Sequence, residues 1–135
     1  MAMAGKAAEI IKFGEDNVSS GPVSDIQQVS KIARAMVTQF GMSDKIGNVN
    51  YSGEQDSFLG SYQGQGPQIS SETQNIIEEE VKRLVDDGYD TAFRILTEKN
   101  VEFERLAEGL IEYETLTGDE IKKVCLLYTS DAADE

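Results

Sequence analysis

The chain of 135 residues contains no histidine and only one cysteine. Without histidine it can hold neither a Ser-His-Asp nor a Cys-His catalytic arrangement, and it has no imidazole base that works near neutral pH. A single cysteine excludes a disulfide framework and a zinc site built from several thiolates. The residues of the chain therefore lack most of the machinery of a hydrolase.

Basic residues are also few, because 12 Lys and Arg stand against 25 Asp and Glu, for a formal net charge of −13. This acidic excess argues against binding to the phosphate backbone of nucleic acid or to an anionic lipid surface. No apolar run approaches the roughly 20 residues that cross a bilayer. A hydrophobic content of 39% in a chain of this length predicts one domain with a packed core.

Apolar residues recur at steps of three and four in several segments, which predicts a mainly α-helical bundle. In the clearest segment, Ser24 and Gln27 match a capping box and Gly41 is the expected C-cap. Its apolar stripe consists of Ile26, Val29, Ile32, Ala33, Met36, Val37 and Phe40. Further helices are predicted at Met3–Phe13, from Ser70 or Ser71 to about Thr97, at Asn100–Tyr113, and after a capping box at Thr117–Glu120.

Between Met42 and Ser70, glycine and small polar residues replace the helical pattern. Two short runs of strand-forming residues, Ile46–Tyr51 and Ser57–Leu59, flank the turn-prone segment Ser52–Asp56. This arrangement predicts one small β-hairpin beside the helices. The following segment, Tyr62–Pro67, is interpreted as a loop.

The long predicted helix carries runs of acidic residues at Glu78–Glu80 and Asp86–Asp87. Such runs can indicate a calcium site or a basic partner, but no stretch alternates oxygen ligands as an EF-hand loop does. The charges interleave with apolar residues, which is typical of a solvated helix face. Gly88 in the same helix costs about 1 kcal/mol relative to alanine and indicates a kink or close packing.

Asp25 follows Ser24 at the start of the clearest helix and has two interpretations. A carboxylate at a helix N-terminus offsets the macrodipole and stabilises the helix by about a few tenths of a kcal/mol. A carboxylate held rigidly at a helix start also suits a metal ligand. The residues alone favour the first interpretation and leave the second open. They contain no phosphate-binding G-x-x-x-x-G-K-[ST] pattern, and Cys125 is interpreted as incidental.

A series of motifs, in order along the chain, resembles the C-terminal peptidase domain of the FtsH family of membrane-bound AAA ATP-dependent zinc metalloproteases. The first of them are Gly5-Lys6-Ala7-Ala8-Glu9, Phe13-Gly14, Ser19-Ser20-Gly21, Ser24-Asp25-Ile26, Ala33-Arg34, Met36-Val37-Thr38 and Phe40-Gly41-Met42-Ser43. The others are Asp44-Lys45-Ile46-Gly47, Phe58-Leu59-Gly60, Ile95-Leu96-Thr97 and Tyr113-Glu114-Thr115-Leu116-Thr117-Gly118. The resemblance covers roughly residues 4–124.

The resemblance implies a zinc ion held by the two His of an H-E-x-x-H motif and by one Asp, with the Glu of that motif activating water. The Asp lies in a [SN]-D-I segment, which here is Ser24-Asp25-Ile26. The resemblance thus reverses the interpretation of Asp25, which becomes a predicted zinc ligand. The chain contains neither H-E-x-x-H nor the P-loop of the AAA module that uses ATP and Mg²⁺. We expect it to be inactive alone, with no catalytic residue of its own.

The resemblance further implies a homo-hexamer that feeds protein substrates, misassembled membrane proteins and selected soluble ones, into a peptidase chamber. It places that chamber on the cytoplasmic side of a bacterial inner membrane, with membrane contact only through an N-terminal anchor. Residues 1–124 are predicted to be the C-terminal part of the metallopeptidase domain, and 125–135 a non-native or disordered tail of a truncated gene model. The alternative is a free-standing acidic helical module for binding or scaffolding. A reading frame that continues upstream of Met1 to H-E-x-x-H would favour the protease.

Overall fold

The computed structural model describes residues 1–51 and 69–126. These ranges contain five α-helices, α1 (Ala4–Phe13), α2 (Val23–Thr38), α3 (Ser71–Glu98), α4 (Asn100–Tyr113) and α5 (Gly118–Leu126). A single 3-10 turn, Glu15–Asn17, follows α1. The prediction of a mainly helical fold is confirmed, and no strand occurs within the described ranges.

The first predicted strand of the hairpin, Ile46–Tyr51, is a turn followed by irregular chain. The amide of Gly47 donates to the carbonyl of Ser43 at 2.8 Å, and the amide of Tyr51 donates to the carbonyl of Thr38 at 2.8 Å. The rest of the hairpin and the loop after it, residues 52–68, lie outside the described residues. The hairpin therefore stays a prediction.

The helices divide between two compact units, Met1–Ala92 and Phe93–Glu135, with the boundary inside α3. The core of the first unit forms where α2 meets α3, and its buried members are Ala33, Val37, Ile77 and Val81. Five partly buried residues pack around them, namely Ile46, Tyr51, Ile69, Leu84 and Val85. The stripe predicted for α2 is wider than the face that is buried, because Ile26, Ile32 and Phe40 are exposed.

In the second unit, α4 packs against α5. The segment that joins the two helices packs closely on α4 at Gly109, where a Cβ atom would lie 3.2 Å from Cδ1 of Leu116. Much of the apolar face of α4 is exposed nonetheless, and Ile111 keeps 83% of its surface. The apolar pattern therefore predicted the helix correctly but not the extent of its burial.

The start and end of α2 differ from the prediction. The helix begins at Val23 with Pro22 at the N-cap position, and no side chain caps it. The capping box predicted at Ser24 is therefore wrong, because the proline ring fixes φ of Pro22 at −75° and allows the helix to begin before Ser24. At the other end Gln39 is the C-cap, and Gly41 follows with φ +63°.

Two other predicted caps are confirmed. The hydroxyl of Ser70 accepts the amide of Thr73 at 3.2 Å and caps α3. The carboxylate of Glu120 accepts the amide and the hydroxyl of Thr117, both at 2.7 Å, in a capping box before α5. In α3, a Cβ at Gly88 would meet no atom of the described residues within 4 Å. The prediction of close packing at this glycine is therefore wrong.

Candidate metal centre

Asp25, the predicted zinc ligand, lies in the first turn of α2 and is partly buried. Its carboxylate lies beside the start of α1, because a Cβ built on Gly5 would be 3.5 Å from Oδ2 of Asp25. The carboxylate thus lies within van der Waals distance of the first turn of α1. The fold therefore brings the carboxylate of Asp25, in the first turn of α2, next to the first turn of α1.

The carboxylate of Asp25 forms no hydrogen bond or ion pair with the described part of the chain. Carboxylate oxygens are among the ligands that zinc accepts, so Asp25 suits a metal on chemical grounds. The described residues contain no group of three His, Cys, Asp or Glu side chains that could hold a metal ion. With no His in the sequence, Asp25 can supply one ligand and the others must come from elsewhere.

Glu9 ties the middle of α1 to the loop that precedes α2. Its Oε1 accepts the hydroxyl of Ser19 at 2.7 Å, and its Oε2 accepts the amide of Ser19 at 2.9 Å. The hydroxyl of Ser19 in turn accepts the amide of Gly21 at 3.0 Å. Helical periodicity did not single out Glu9, although it lies in one of the motifs that carry the resemblance.

An open cavity of about 610 Å³ lies within the first unit, between α1, the loop after it, α2 and α3. Ile26, the neighbour of Asp25, forms part of its wall, together with Met3, Ile10 and Val85. At its edge Nζ of Lys6 lies 5.9 Å from the ring centre of Tyr89, and burial raises the pKa of Tyr89. The cavity thus combines apolar walls and a cation–aromatic pair with two acidic residues, Glu15 and Asp86.

The acidic run Glu78–Glu80 predicts a solvated position for Glu80, and this prediction is wrong. Its side chain is buried, and its carboxylate accepts hydrogen bonds from Ser43 at 2.6 Å and from Arg83 at 3.1 and 3.2 Å, with Lys45 at 3.2 Å. The hydrogen bonds from Arg83 and then Ser43 lower the pKa of Glu80 to about 2, against the opposing effect of burial.

The other acids of these runs lie on the surface, several of them in ion pairs. Arg34 of α2 contacts both oxygens of Glu78 at 2.9 Å, and this hydrogen bond lowers the pKa of Glu78. Lys82 pairs with Asp86 at 2.7 Å, and Arg83 with Asp87 at 3.0 Å. Exposed pairs of this kind contribute about 0–1 kcal/mol each. Cys125 is a partly buried free thiol.

In the part of the chain that the structure describes, no helix combines the length and the hydrophobicity needed to cross a lipid bilayer.

Comparison with known protein families gives one match along nearly the whole chain. The sequence model of peptidase family M41 matches residues 1–124. This range includes Asp25, Glu9 and Glu80.

Curated relatives agree with that match. The chain is 46% identical to the ATP-dependent zinc metalloprotease FtsH of Caulobacter vibrioides over 123 residues, which cover 90% of this chain and 20% of the relative. It is 42% identical over all 135 residues to the protein of the same name in Rickettsia bellii, of which it covers 21%.

A eukaryotic relative is similar to the same degree. The mitochondrial inner membrane i-AAA protease supercomplex subunit YME1 of Saccharomyces cerevisiae is 46% identical over 125 residues, or 93% of this chain and 15% of the relative. The chain thus spans about a fifth or less of the curated relatives it matches. It belongs to peptidase family M41 and forms part of an FtsH-type peptidase domain.

Proposed function

We propose that this chain is part of an ATP-dependent zinc metalloendopeptidase and that Asp25 supplies one of the zinc ligands. The observation that supports this assignment most is the position of the Asp25 carboxylate and its lack of protein partners among the described residues. Its carboxylate lies in the first turn of α2, next to Gly5, and makes no hydrogen bond or ion pair with the described residues. Asp25 also occupies the position of the Asp ligand in the family's [SN]-D-I segment.

Asp25 has a limited task in this proposal. Zinc in such a site supplies Lewis acidity toward a peptide carbonyl and toward water. The carboxylate of Asp25 provides an anionic oxygen whose position is fixed by the first turn of a helix. The two His ligands and the Glu that acts as general base belong to an H-E-x-x-H motif, which the 135 residues do not contain. The chain alone is therefore inactive and binds no stoichiometric zinc.

The full-length protein is proposed to be a membrane-anchored homo-hexamer at a bacterial inner membrane, with its peptidase domain facing the cytoplasm. ATP and Mg²⁺ act in an AAA module, and the substrates are misassembled membrane proteins and selected soluble ones. The names of the relatives support this in part, because the bacterial ones are called ATP-dependent zinc metalloproteases and the yeast one is an inner membrane protease subunit.

A chimera allows the proposal to be tested in an assembled enzyme. In this protein, called the FtsH chimera below, residues 1–124 replace the aligned segment of Caulobacter vibrioides FtsH. We expect Asp25→Ala to abolish proteolysis of casein, because the metal loses one ligand. The ATPase rate of the same variant is expected to stay near that of the unsubstituted chimera, since the AAA module is unchanged.

Asp16→Ala is the matched control, because Asp16 is an exposed carboxylate in the turn after α1. It is expected to leave both activities unchanged. Casein cleavage by Asp25→Ala at the rate of the control would contradict the assignment of Asp25. An FtsH chimera that hydrolyses ATP but never cleaves casein would instead favour the alternative, an acidic helical module for binding or scaffolding.

A further inference from the structure

The side chain of Glu9 forms hydrogen bonds with one residue, Ser19, which lies in the loop that leads to Asp25. Both of its carboxylate oxygens accept hydrogen bonds from Ser19, from the hydroxyl at 2.7 Å and from the amide at 2.9 Å. The partners are ten residues apart and join the middle of α1 to the chain between α1 and α2. A carboxylate with two charge-assisted hydrogen bonds to one residue holds that residue in one place.

Two further hydrogen bonds follow Ser19 in the loop. The hydroxyl of Ser19 accepts the amide of Gly21 at 3.0 Å, and a Cβ on Gly21 would lie 3.1 Å from that hydroxyl and 3.4 Å from Oε1 of Glu9. Gly21 thus leaves space that the contact between Glu9 and Ser19 fills. The amide of Val23 then donates to the carbonyl of Ser20 at 3.2 Å, and α2 begins.

Asp25 lies over the same face of α1. Gly5 and Glu9 are one helical turn apart, so they share a face of the helix. At Gly5 this face lies next to Oδ2 of Asp25, and at Glu9 it holds Ser19. One face of α1 therefore contacts the loop before α2 and the carboxylate in the first turn of α2.

We infer that Glu9 is a positioning residue, which fixes the start of α2 through Ser19 and so sets the direction of the Asp25 carboxylate. This inference rests on the proposed function, in which Asp25 is a zinc ligand. Glu9 acts through the loop, because two hydrogen bonds hold its carboxylate against Ser19. Groups that orient a metal ligand typically change metal affinity about 10–100-fold when they are removed.

Two measurements on Glu9→Ala test this inference. In the 135-residue chain, hydrogen–deuterium exchange of the amides from Ser19 to Asp25 is expected to accelerate. In the FtsH chimera, the zinc dissociation constant, measured by competition with a chelator, is expected to rise about 10-fold or more. The ATPase rate is expected to stay unchanged. Asn17→Ala is the matched control, because the Asn17 side chain donates to the carbonyl of Phe13 at 2.9 Å in the same loop without touching Glu9.

Glu9→Gln separates positioning from direct ligation. A glutamine can accept the amide of Ser19 through its oxygen and donate to the Ser19 hydroxyl through its nitrogen. We therefore expect Glu9→Gln to restore slow exchange in the loop and most of the zinc affinity. Zinc affinity as low as that of Glu9→Ala, together with slow exchange, would make Glu9 a ligand and overturn the inference.

The remaining outcomes distinguish the inference from the proposed function on which it rests. If Asp25→Ala loses zinc but Glu9→Ala binds it as tightly as the Asn17→Ala control, only the inference is wrong. Unchanged exchange from Ser19 to Asp25 in Glu9→Ala overturns it as well. If Asp25→Ala retains its zinc, the proposed function is wrong, and the inference fails with it.

Discussion

The carboxylate of Glu80 in α3 accepts a 2.6 Å hydrogen bond from the hydroxyl of Ser43, which lies 37 residues earlier in the segment after α2. Both residues are buried, each with 2% of its surface exposed. Lys45 and Arg83 place their cations 3.2 and 3.1 Å from the same carboxylate. Because the charge of Glu80 is compensated, this contact can fasten the segment after α2 to α3 inside the first unit.

Glu80→Ala is expected to lower the free energy of unfolding of the chain by about 2–3 kcal/mol, because the buried hydroxyl of Ser43 loses its acceptor. Urea denaturation followed by circular dichroism measures this change. Glu79→Ala is the matched control, since Glu79 is the exposed neighbour, and it is expected to stay within about 0.5 kcal/mol of the unsubstituted chain. Equal effects of the two substitutions would show that the buried contact does not stabilise the fold.

The same contact predicts how stability depends on pH. The pKa of Glu80 falls from 4.5 to about 2 in the folded chain, chiefly through the hydrogen bonds from Arg83 and Ser43. A carboxylate with a lowered folded pKa stabilises the fold fully above its unfolded pKa, and this contribution disappears as pH falls through the folded pKa. The stability difference between the unsubstituted chain and Glu80→Gln is therefore expected to be constant from pH 7 to about 5 and to shrink toward pH 2. A difference that does not vary with pH would contradict the lowered pKa.

Substitution by alanine is expected to change the free energy of unfolding in opposite directions at two glycines. Gly41 has φ +63°, and a Cβ there would lie 3.0 Å from Oδ1 of Asn48, so Gly41→Ala is expected to destabilise the chain by about 1–2 kcal/mol. Gly88 lies within α3 with open space around it among the described residues, so Gly88→Ala is expected to stabilise the chain by about 0.5–1 kcal/mol. Urea denaturation measures the free energy of unfolding of both variants. A loss of stability in Gly88→Ala would indicate that its Cβ meets a neighbour.

The capping box before α5 can also be tested by substitution. Thr117→Ala removes the hydroxyl that accepts the amide of Glu120 and donates to its carboxylate. Loss of such a cap typically costs about 0.5–2 kcal/mol, so we expect faster hydrogen exchange of the amides in the first turn of α5. Thr115→Ala is the control, because the exposed Thr115 lies outside the capping box. Equal exchange in the two variants would argue against the cap.

The helices could be predicted because their signals are local in the sequence. The limits of α4, Asn100–Tyr113, agree with the prediction, and the capping box of Thr117 and Glu120 joins residues three apart. The start of α2 was displaced because Pro22 can begin a helix without a hydrogen-bonding side chain. Patterns within one turn thus fix most of the secondary structure.

The contacts around the candidate site could not be predicted, because they join residues distant in the sequence. Acidic positions on a helix look alike until a partner is known, and the sequence does not indicate that Glu80 meets Ser43 or that Glu9 meets Ser19. Likewise, the apolar stripe of α2 does not reveal that Ile26 and Phe40 stay exposed while Val37 is buried. Asp25 as a zinc ligand came from the family resemblance, since its position alone favoured a helix-stabilising role.

The zinc content of the FtsH chimera, measured by atomic absorption after gel filtration, tests the role of Asp25 most directly. We expect about one zinc ion per subunit in the Asp16→Ala control, and zinc far below one per subunit in Asp25→Ala, since a catalytic zinc site needs three protein ligands. A full equivalent of zinc bound as tightly in Asp25→Ala as in the control would contradict the assignment of Asp25 as a ligand.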